Sequence, residues 1–279
     1  MALPIQVAYV PYRVPYALGL RLQQHLVGRR LTARAQIREN IGSSPTHRVA
    51  IADQLQYAQR IAETDYLLLL EHTPVYTKGK RRDEAADKVA SAPRRSADFF
   101  ETPRGGLLTY HGPGQLVGYP LFDIGAMNLS VRCYVSKLQD SLRSTLSELG
   151  ISTVGSPSEE ARYTGVWVDA KSKICSLGVH VQHRIVSHGF ALNVSDEALE
   201  GFSRIVACGL PDIQMTCVNE QHRKLGIHRR DTVKEVAQVT GRHIGAVFTR
   251  ELVPVPHDLL SWSANAHSVL SHVGGTAGF

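Results

Sequence analysis

Two glycine-centred segments and one turn carry the residue types that could do covalent chemistry. Lys173-Ile174-Cys175-Ser176-Leu177-Gly178-Val179 alternates, which in a strand puts Lys173, Cys175 and Leu177 on one face. Ser187-His188-Gly189-Phe190-Ala191-Leu192-Asn193 is a second such segment, with small residues at its centre. Cys208 falls on a turn signal, Cys208-Gly209-Leu210-Pro211. A thiol on a turn beside glycine is exposed and can use adjacent backbone N–H groups to hold an oxyanion, so the chemistry is nucleophilic attack on a carbonyl. Each residue also has a plainer account. A lone lysine is usually solvated, and Lys171 lies two positions away. A lone cysteine is usually a small buried hydrophobe. His111 and His188 suit hydrogen-bonded structural roles. Spacing alone does not single out an active site.

A third stretch, Arg104–Gln115, holds four glycines and one proline in twelve residues. Glycine is needed where backbone takes φ > 0 or where a ligand must approach the main chain closely. Leu107–His111 reads as a short strand. Gly-rich turns on both sides leave Arg104, Tyr110, His111 and Gln115 as polar tips around bare backbone. Two tight turns flanking an ordinary hairpin would give the same pattern. No G-x-G-x-x-G opens a helix here, and no G-x-x-x-x-G-K-[ST] is present, so neither a dinucleotide fingerprint nor a phosphate loop is indicated.

The elements that must position these residues follow from periodicity. Ile5–Val10 reads as a strand ended by Pro11 and Pro15. Leu18, Leu22 and Leu26 give Ala17–Leu31 a helical face. Thr32–His47 reads as a loop or insertion, and Val49–Ala62 as helical. Asp65–Leu70 is a continuous apolar run, expected of a strand buried on both faces. Lys80–Phe100 is charged and Ala-rich, with an uncertain helix. Leu116–Ile124 alternates as the second strand of a hairpin. Tyr134, Leu138, Leu142, Leu146 and Leu149 mark Leu129–Leu149 as the clearest helix, with Gly150 as its C-terminal cap. Short strands follow at Ile151–Val154, Thr164–Val168, Lys173–Val181 and Ile185–Val194, then a short helix at Glu197–Phe202. Arg230–Gly241 and His243–Leu252 read as one or two late helices, and Ser261–Phe279 as a loosely ordered tail. Mixed strands and helices without a linker predict one α/β or α+β domain.

Composition narrows the classes. The chain has 279 residues, 43% of them hydrophobic, and a formal charge of +6. No apolar run approaches the eighteen residues needed to cross a bilayer, which predicts a soluble protein with no membrane role. The basic residues are dispersed and no nucleic-acid motif appears, so an acidic protein is the better-fitting partner and nucleic acid is not expected. Cys133, Cys175, Cys208 and Cys217 form no C-x-x-C pair and no metal-type spacing. No metal is expected, and a reducing compartment is. The first 38 residues hold six arginines and no Asp or Glu, as mitochondrial presequences do. Ile5–Val10 and Ala17–Leu31 read equally as elements of the fold.

Several ordered segments carry a resemblance. Arg104–Pro120 (R-G-G-L-L-T-Y-H-G-P-G-Q-L-V-G-Y-P) resembles the signature of the lipoyl(octanoyl) transferases, octanoyl-acyl-carrier-protein:protein N-octanoyltransferases of lipoate biosynthesis. Leu67–Thr77, Tyr163–Asp169, Lys173–Val179 and His188–Val194 match in the same order, the last followed by Phe202–Leu210. Together they span roughly residues 5 to 250, and Y-T-G-V-W looks closer to the eukaryotic, mitochondrial branch. The resemblance implies the α/β domain of lipoate- and biotin-protein ligases, a mixed sheet flanked by helices, over residues 1–253. It implies a probable insertion at about 34–60 and a tail at 254–279. The family's catalytic cysteine falls on Cys208 and its partner lysine on Lys173. Its acyl-binding positions fall on Arg104, Gly105, Gly106, Leu107, Leu108, Thr109, Tyr110 and His111, on Ser176, Leu177 and Gly178, and on Gly189, Phe190 and Ala191, with His188 and Gln115 in support. The chain departs from the family at Ala207 (usually Pro), at Met215–Val218 (usually V-T-S-L) and at Ser172 (commonly Arg).

The implied reaction moves an octanoyl group from acyl carrier protein to a lysine of lipoyl domains, in 2-oxoacid dehydrogenases and the glycine cleavage H protein, through a cysteine thioester. A free thiol titrates near ~8.5 and an amine near ~10.4, so pairing them favours a thiolate and an ammonium. No ATP, metal or other cofactor is implied, because a thioester is already activated. The implied compartment is the mitochondrial matrix, or the cytoplasm for a bacterial source. The rival readings are an ATP-dependent lipoate-protein ligase or lipoyl amidotransferase of the same fold, and a non-catalytic module binding acyl carrier protein or lipoyl domains. A cysteine hydrolase would need a Cys–His pair, with His188 or His111.

Overall fold

The run Leu67-Leu68-Leu69-Leu70 is a central strand, and the rest of the chain is layered on its two faces. In the computed structural model, which describes residues 3–81, 97–205 and 212–255, it lies in β2 (Asp65–His72). Before it come β1 (Ile5–Val14), α1 (Tyr16–Asn40), α2 (Pro45–Ala50) and α3 (Ala52–Glu63). After it come β3 (Val75–Lys78), β4 (Asp98–Glu101), β5 (Leu108–His111), β6 (Gln115–Leu121) and α4 (Val131–Glu148). Then follow β7 (Gly165–Trp167), β8 (Ser172–Gln182), β9 (Ile185–Asn193), α5 (Glu197–Glu200), β10 (Gln214–Met215), α6 (Val218–Leu225), α7 (Val233–Phe248) and β11 (Leu252–Pro254). One mixed sheet runs β10-β8-β9-β6-β2-β1-β11, with β7 also paired to β8. A second sheet runs β4-β3-β5.

Strand alternation sends Leu67 and Leu69 to one face and Leu68 and Leu70 to the other. The first pair joins Tyr134, Leu138, Leu142 and Leu146 of α4 and Val236, Ala237 and Ile244 of α7. The second joins Leu22 and Leu26 of α1, with Ala8, Val10, Val117 and Tyr119. Each fully buried leucine contributes about 1.5–3 kcal/mol, so the α4 stripe alone holds that helix down firmly. Ser130 caps α4 by accepting from the Cys133 N–H, and Gly150 takes φ 80° just past its end. Thr232 and Glu235 form a reciprocal capping box at the start of α7.

The structure departs from the sequence expectations in several places. Pro11 does not end the first strand; β1 continues to Val14, with its pairing to β2 shifted between Tyr9 and Arg13. Proline is tolerated in a strand at such an irregularity. Thr32–Asn40 is helix, not loop, because Ala33 and Ile37 of α1 pack on Ala58, Ile61 and Ala62 of α3. Residues 34–60 are therefore the end of α1, α2 and most of α3. β5 and β6 are not a hairpin: β5 pairs with β3 in the small sheet, and β6 with β2 and β9 in the large one. Gly114, at φ 75°, makes the turn between the sheets, and its N–H donates to Glu71 at 2.7 Å. Ile151–Val154 is no strand; Val154 makes one bridge to Trp167. Asp98–Phe100 is strand; the rest of the uncertain helix over Lys80–Phe100 lies mostly outside the described residues. The late helix is single, and residues 252–254 form an edge strand, so the tail does not begin at 254.

Candidate active site

The large sheet, the small sheet and the N-terminus of α1 enclose a cleft with about 600 Å³ of empty space, its open mouth included. Eleven of the fourteen expected acyl-binding residues line it: Arg104, Gly106, Leu107, Thr109, His111, Ser176, Leu177, Gly178, Gly189, Phe190 and Ala191. Lys173 and His188 line it too. The other three do not. Alternation along β5 turns Leu108 and Tyr110 away into a separate cluster with Tyr76 and Phe202. Gly105 faces a neighbouring groove and donates its N–H to the Val179 carbonyl at 2.9 Å.

Lys173 is 1% exposed. Its Nζ stands 5.2 Å from the centroid of the Trp167 ring, a contact suited to a cation. Gly165 makes room for it: a Cβ at that position would lie 2.3 Å from Lys173 Cε and 3.1 Å from Nζ. Gln139 of α4 fixes Gly165 by donating to its carbonyl at 2.8 Å. The expected common face for Lys173, Cys175 and Leu177 is corrected here. The β7–β8 register shifts so that Val166 meets Cys175 and Trp167 meets Lys173, which leaves Ile174 as an extra residue in β8. That bulge separates Lys173, which lines the cleft, from Cys175, which is buried in the α4/α7 core. Burial pushes the Cys175 thiol up, away from the reactive form.

Cys208 lies outside the described residues, as do Ala207 and the rest of 206–211. The chain after them is placed. Gln214 and Met215 pair in parallel with Ser172 and Lys173, and the Thr216 N–H donates to the Lys173 carbonyl at 3.0 Å. Cys217, the second thiol nearby, is buried and caps α6: the Glu220 N–H donates to its Sγ at 3.4 Å. Burial, with the Asp196 and Glu220 carboxylates, pushes its pKa up to about 12.

Arg104 builds the cleft wall. Its guanidinium donates to the Thr77 carbonyl at 2.7 Å, to Thr77 Oγ1 at 2.8 Å, and to the carbonyls of Gly105 and Leu107 at 3.0 Å each. These bonds hold the glycine loop, where Gly106 takes φ 93°, against β3. Gly178 fits the same close packing, since a Cβ there would sit a tight 3.0 Å from the Gly105 carbonyl oxygen.

The imidazoles around the cleft are neutral. Burial drives His111 down to about 3 and His188 down to about 3, with Arg104 adding to both. Gln115 donates through Nε2 to the Tyr110 carbonyl and to Asn193 Oδ1, so its Oε1 accepts from His111 Nδ1–H at 2.8 Å. That leaves His111 Nε2 unprotonated. Asn193 then donates to the Thr216 carbonyl at 3.0 Å. A buried polar chain thus links His111 through Gln115, Asn193 and Thr216 to the strand bearing Lys173. His188 takes φ 57°, a strained value for a side chain, held by its N–H bond to Gln23 Oε1 at 2.8 Å.

Sequence reasoning missed Tyr16, His72 and Tyr119. Tyr119 O–H bonds His72 Nε2 at 2.6 Å, and His72 Nδ1 bonds the Val14 carbonyl. Burial holds His72 down at about 4. Tyr16 stacks on His111 with ring centroids 6.1 Å apart. Only the β1–β2–β6 adjacency brings these residues together; no local pattern announces them. An apolar slot, a buried amine and bare glycine backbone suit acyl transfer at a thioester.

Comparison with known proteins agrees. The profile of the lipoyl protein ligase A/B catalytic domain matches residues 44–244. An octanoyltransferase of Koribacter versatilis is 39% identical over 211 residues, covering 70% of this chain and 80% of that protein. A mitochondrial octanoyl-acyl-carrier-protein:protein N-octanoyltransferase of Xenopus tropicalis is 42% identical over 156 residues, covering 56% and 62%. A solved lipoate-protein ligase A bound with ATP superposes with TM-score 0.58 at 12% identity, covering 96% of this chain and 94% of that one, which speaks to fold alone.

Proposed function

The chain belongs to the octanoyltransferases of the lipoyl protein ligase A/B catalytic family, and from that membership we propose a two-step reaction for its cleft. The Cys208 thiolate attacks the octanoyl thioester of acyl carrier protein. A carbon–sulfur bond forms to Cys208, the donor's carbon–sulfur bond breaks, and the Lys173 ammonium gives a proton to the departing thiol. A lysine amine of a lipoyl domain then attacks the acyl-enzyme. The amide forms, the Cys208 thiolate leaves, and Lys173, now neutral, takes the amine's proton. Glycine backbone and the walls from Leu107, Leu177, Phe190 and Ala191 hold the alkyl chain.

The observation that carries this reading is the buried Lys173 amine on the cleft wall, with Gly165 beside it leaving room for the side chain. In sequence, Cys208 stands six residues before Gln214, which pairs beside Lys173. The acceptor class has further support: a bi-partite lipoate protein ligase of Thermoplasma acidophilum, studied with its E2 lipoyl domain, shares the fold at TM-score 0.50. Acyl carrier protein as donor and the glycine cleavage H protein as a second acceptor belong to the proposal. So does a mitochondrial location, which the name of the Xenopus relative favours, or the cytoplasm, which the bacterial relative favours. The proposal needs no ATP and no metal, because the donor thioester is already activated.

Transfer to a lipoyl domain, measured with octanoyl acyl carrier protein and with free octanoate, each with and without ATP, tests it. Transfer from the thioester without ATP is expected. Transfer from free octanoate only with ATP would mean a ligase instead.

A further inference from the structure

Ser176 lines the cleft, yet its Oγ is buried and has no hydrogen-bond partner among the described residues. A buried hydroxyl left unpaired is unfavourable unless something else occupies it. Its position says what that could be. Ser176 lies directly opposite Gly165 in the β7–β8 register. Directly opposed residues of an antiparallel pair have Cβ positions about 4.5–5.5 Å apart. The Cβ position of Gly165 is in turn 3.1 Å from Lys173 Nζ. Together these two steps place the Ser176 Cβ within about 8 Å of the Lys173 amine, and both side chains line the same cleft.

β8 pairs with β7 on one side and, from Cys175 onward, with β9 on the other, so the main chain at Ser176 is engaged in both ladders. Among the described residues, the Ser176 hydroxyl is a cleft-lining donor with no partner.

We propose that Ser176 is a catalytic residue: its hydroxyl donates a hydrogen bond to the acyl carbonyl oxygen, and holds the oxyanion that forms when that carbonyl is attacked. The inference rests on the acyl-enzyme reading above. No proton is transferred by Ser176. When the thiolate adds, the carbonyl π electrons move to oxygen, and the hydroxyl stabilises that charge. They return when the donor's carbon–sulfur bond breaks. The same donor serves the second addition, by the lysine amine. Such a donor acts on the transition state more than on the bound substrate, so its loss appears in kcat rather than KM.

The test is Ser176→Ala, with Ser176→Thr as the conservative variant, each first checked for wild-type melting temperature and circular dichroism. Single-turnover acylation by octanoyl acyl carrier protein is followed by mass spectrometry, and the acyl-enzyme carbonyl by isotope-edited infrared spectroscopy with a 13C-labelled carbonyl. The alanine variant is expected to acylate roughly 10²–10³-fold more slowly, at similar KM, as when other oxyanion donors are removed. Its carbonyl stretch should move to higher frequency, and the threonine variant should recover both properties in part. Wild-type acylation rate and carbonyl frequency in Ser176→Ala would overturn the inference while leaving the acyl-enzyme intact. Absence of any acyl-enzyme in the wild-type protein would instead overturn the parent reading.

Discussion

Gly165→Ala is the sharpest perturbation of the cleft that adds no charge and removes no functional group. Gly165 does not have a positive φ, so alanine brings no backbone strain of its own. Its Cβ would lie 2.3 Å from Lys173 Cε and 2.6 Å from the Cys175 carbonyl oxygen. The lysine side chain must move, and the β7–β8 pair must also open slightly to clear the Cys175 carbonyl. To reach the 3.4 Å at which ordinary contact begins, Cε has to move by about 1.1 Å. A displacement of that size at a reacting group costs on the order of 10²-fold in rate. Overpacking at such a site also costs about 1–3 kcal/mol of stability. The assay is steady-state transfer to a lipoyl domain, with the melting temperature measured in parallel and Gly155→Ala as control, since nothing lies within 4 Å of a Cβ there. The expected result is a kcat about 100-fold lower and a melting temperature a few degrees lower, with the control unchanged. Wild-type kcat in a folded Gly165→Ala protein would refute the assignment of Lys173 to the chemistry.

Other outcomes follow from the same structure. Arg104→Lys keeps the charge but loses the planar fork that ties the glycine loop to Thr77 and Leu107; a raised KM and a lower melting temperature are expected from kinetics and calorimetry. Gly28→Ala, inside α1 with nothing within 4 Å of the new methyl, should stabilise the protein by about 0.5–1 kcal/mol in urea unfolding without changing kcat. His72, His111 and His188 are held at about 4, about 3 and about 3, below the ordinary 6.5. The unfolded chain binds their protons first as pH falls, so their stability is whole above pH 6.5 and drains between 6.5 and their folded values. Each contributes a slope of up to about 1.4 kcal/mol per pH unit, and His72→Gln should flatten the urea-midpoint profile by about one proton.

What could be read in the sequence had a local signature. Leu67–Leu70 and the α4 stripe declare themselves by periodicity because burial acts on every turn or every second residue. The strand β5 was legible, and with it the alternate residues Thr109 and His111 that reach the cleft. Its partner was not: alternation says which face a side chain takes, never which strand lies alongside. The bulge at Ile174 was invisible for a related reason, since one extra residue exchanges faces without altering composition. The second half of α1 hid behind polar residues, and its helical state depends on Ala58 and Ala62 far along the chain. Lys173 was singled out by resemblance rather than by spacing. Its surroundings at Gly165, Trp167 and Thr216 became evident only once β7, β8 and β10 were side by side.

The central claim is that Cys208 carries the octanoyl group with Lys173 as its proton partner. Incubation with octanoyl acyl carrier protein in the absence of ATP, followed by peptide mass spectrometry, tests it directly. The account predicts an octanoyl thioester on Cys208, absent in Cys208→Ser and formed far more slowly in Lys173→Met, with Cys217 unmodified. An adduct that persists on Cys217, or transfer that continues in Cys208→Ser, would contradict it.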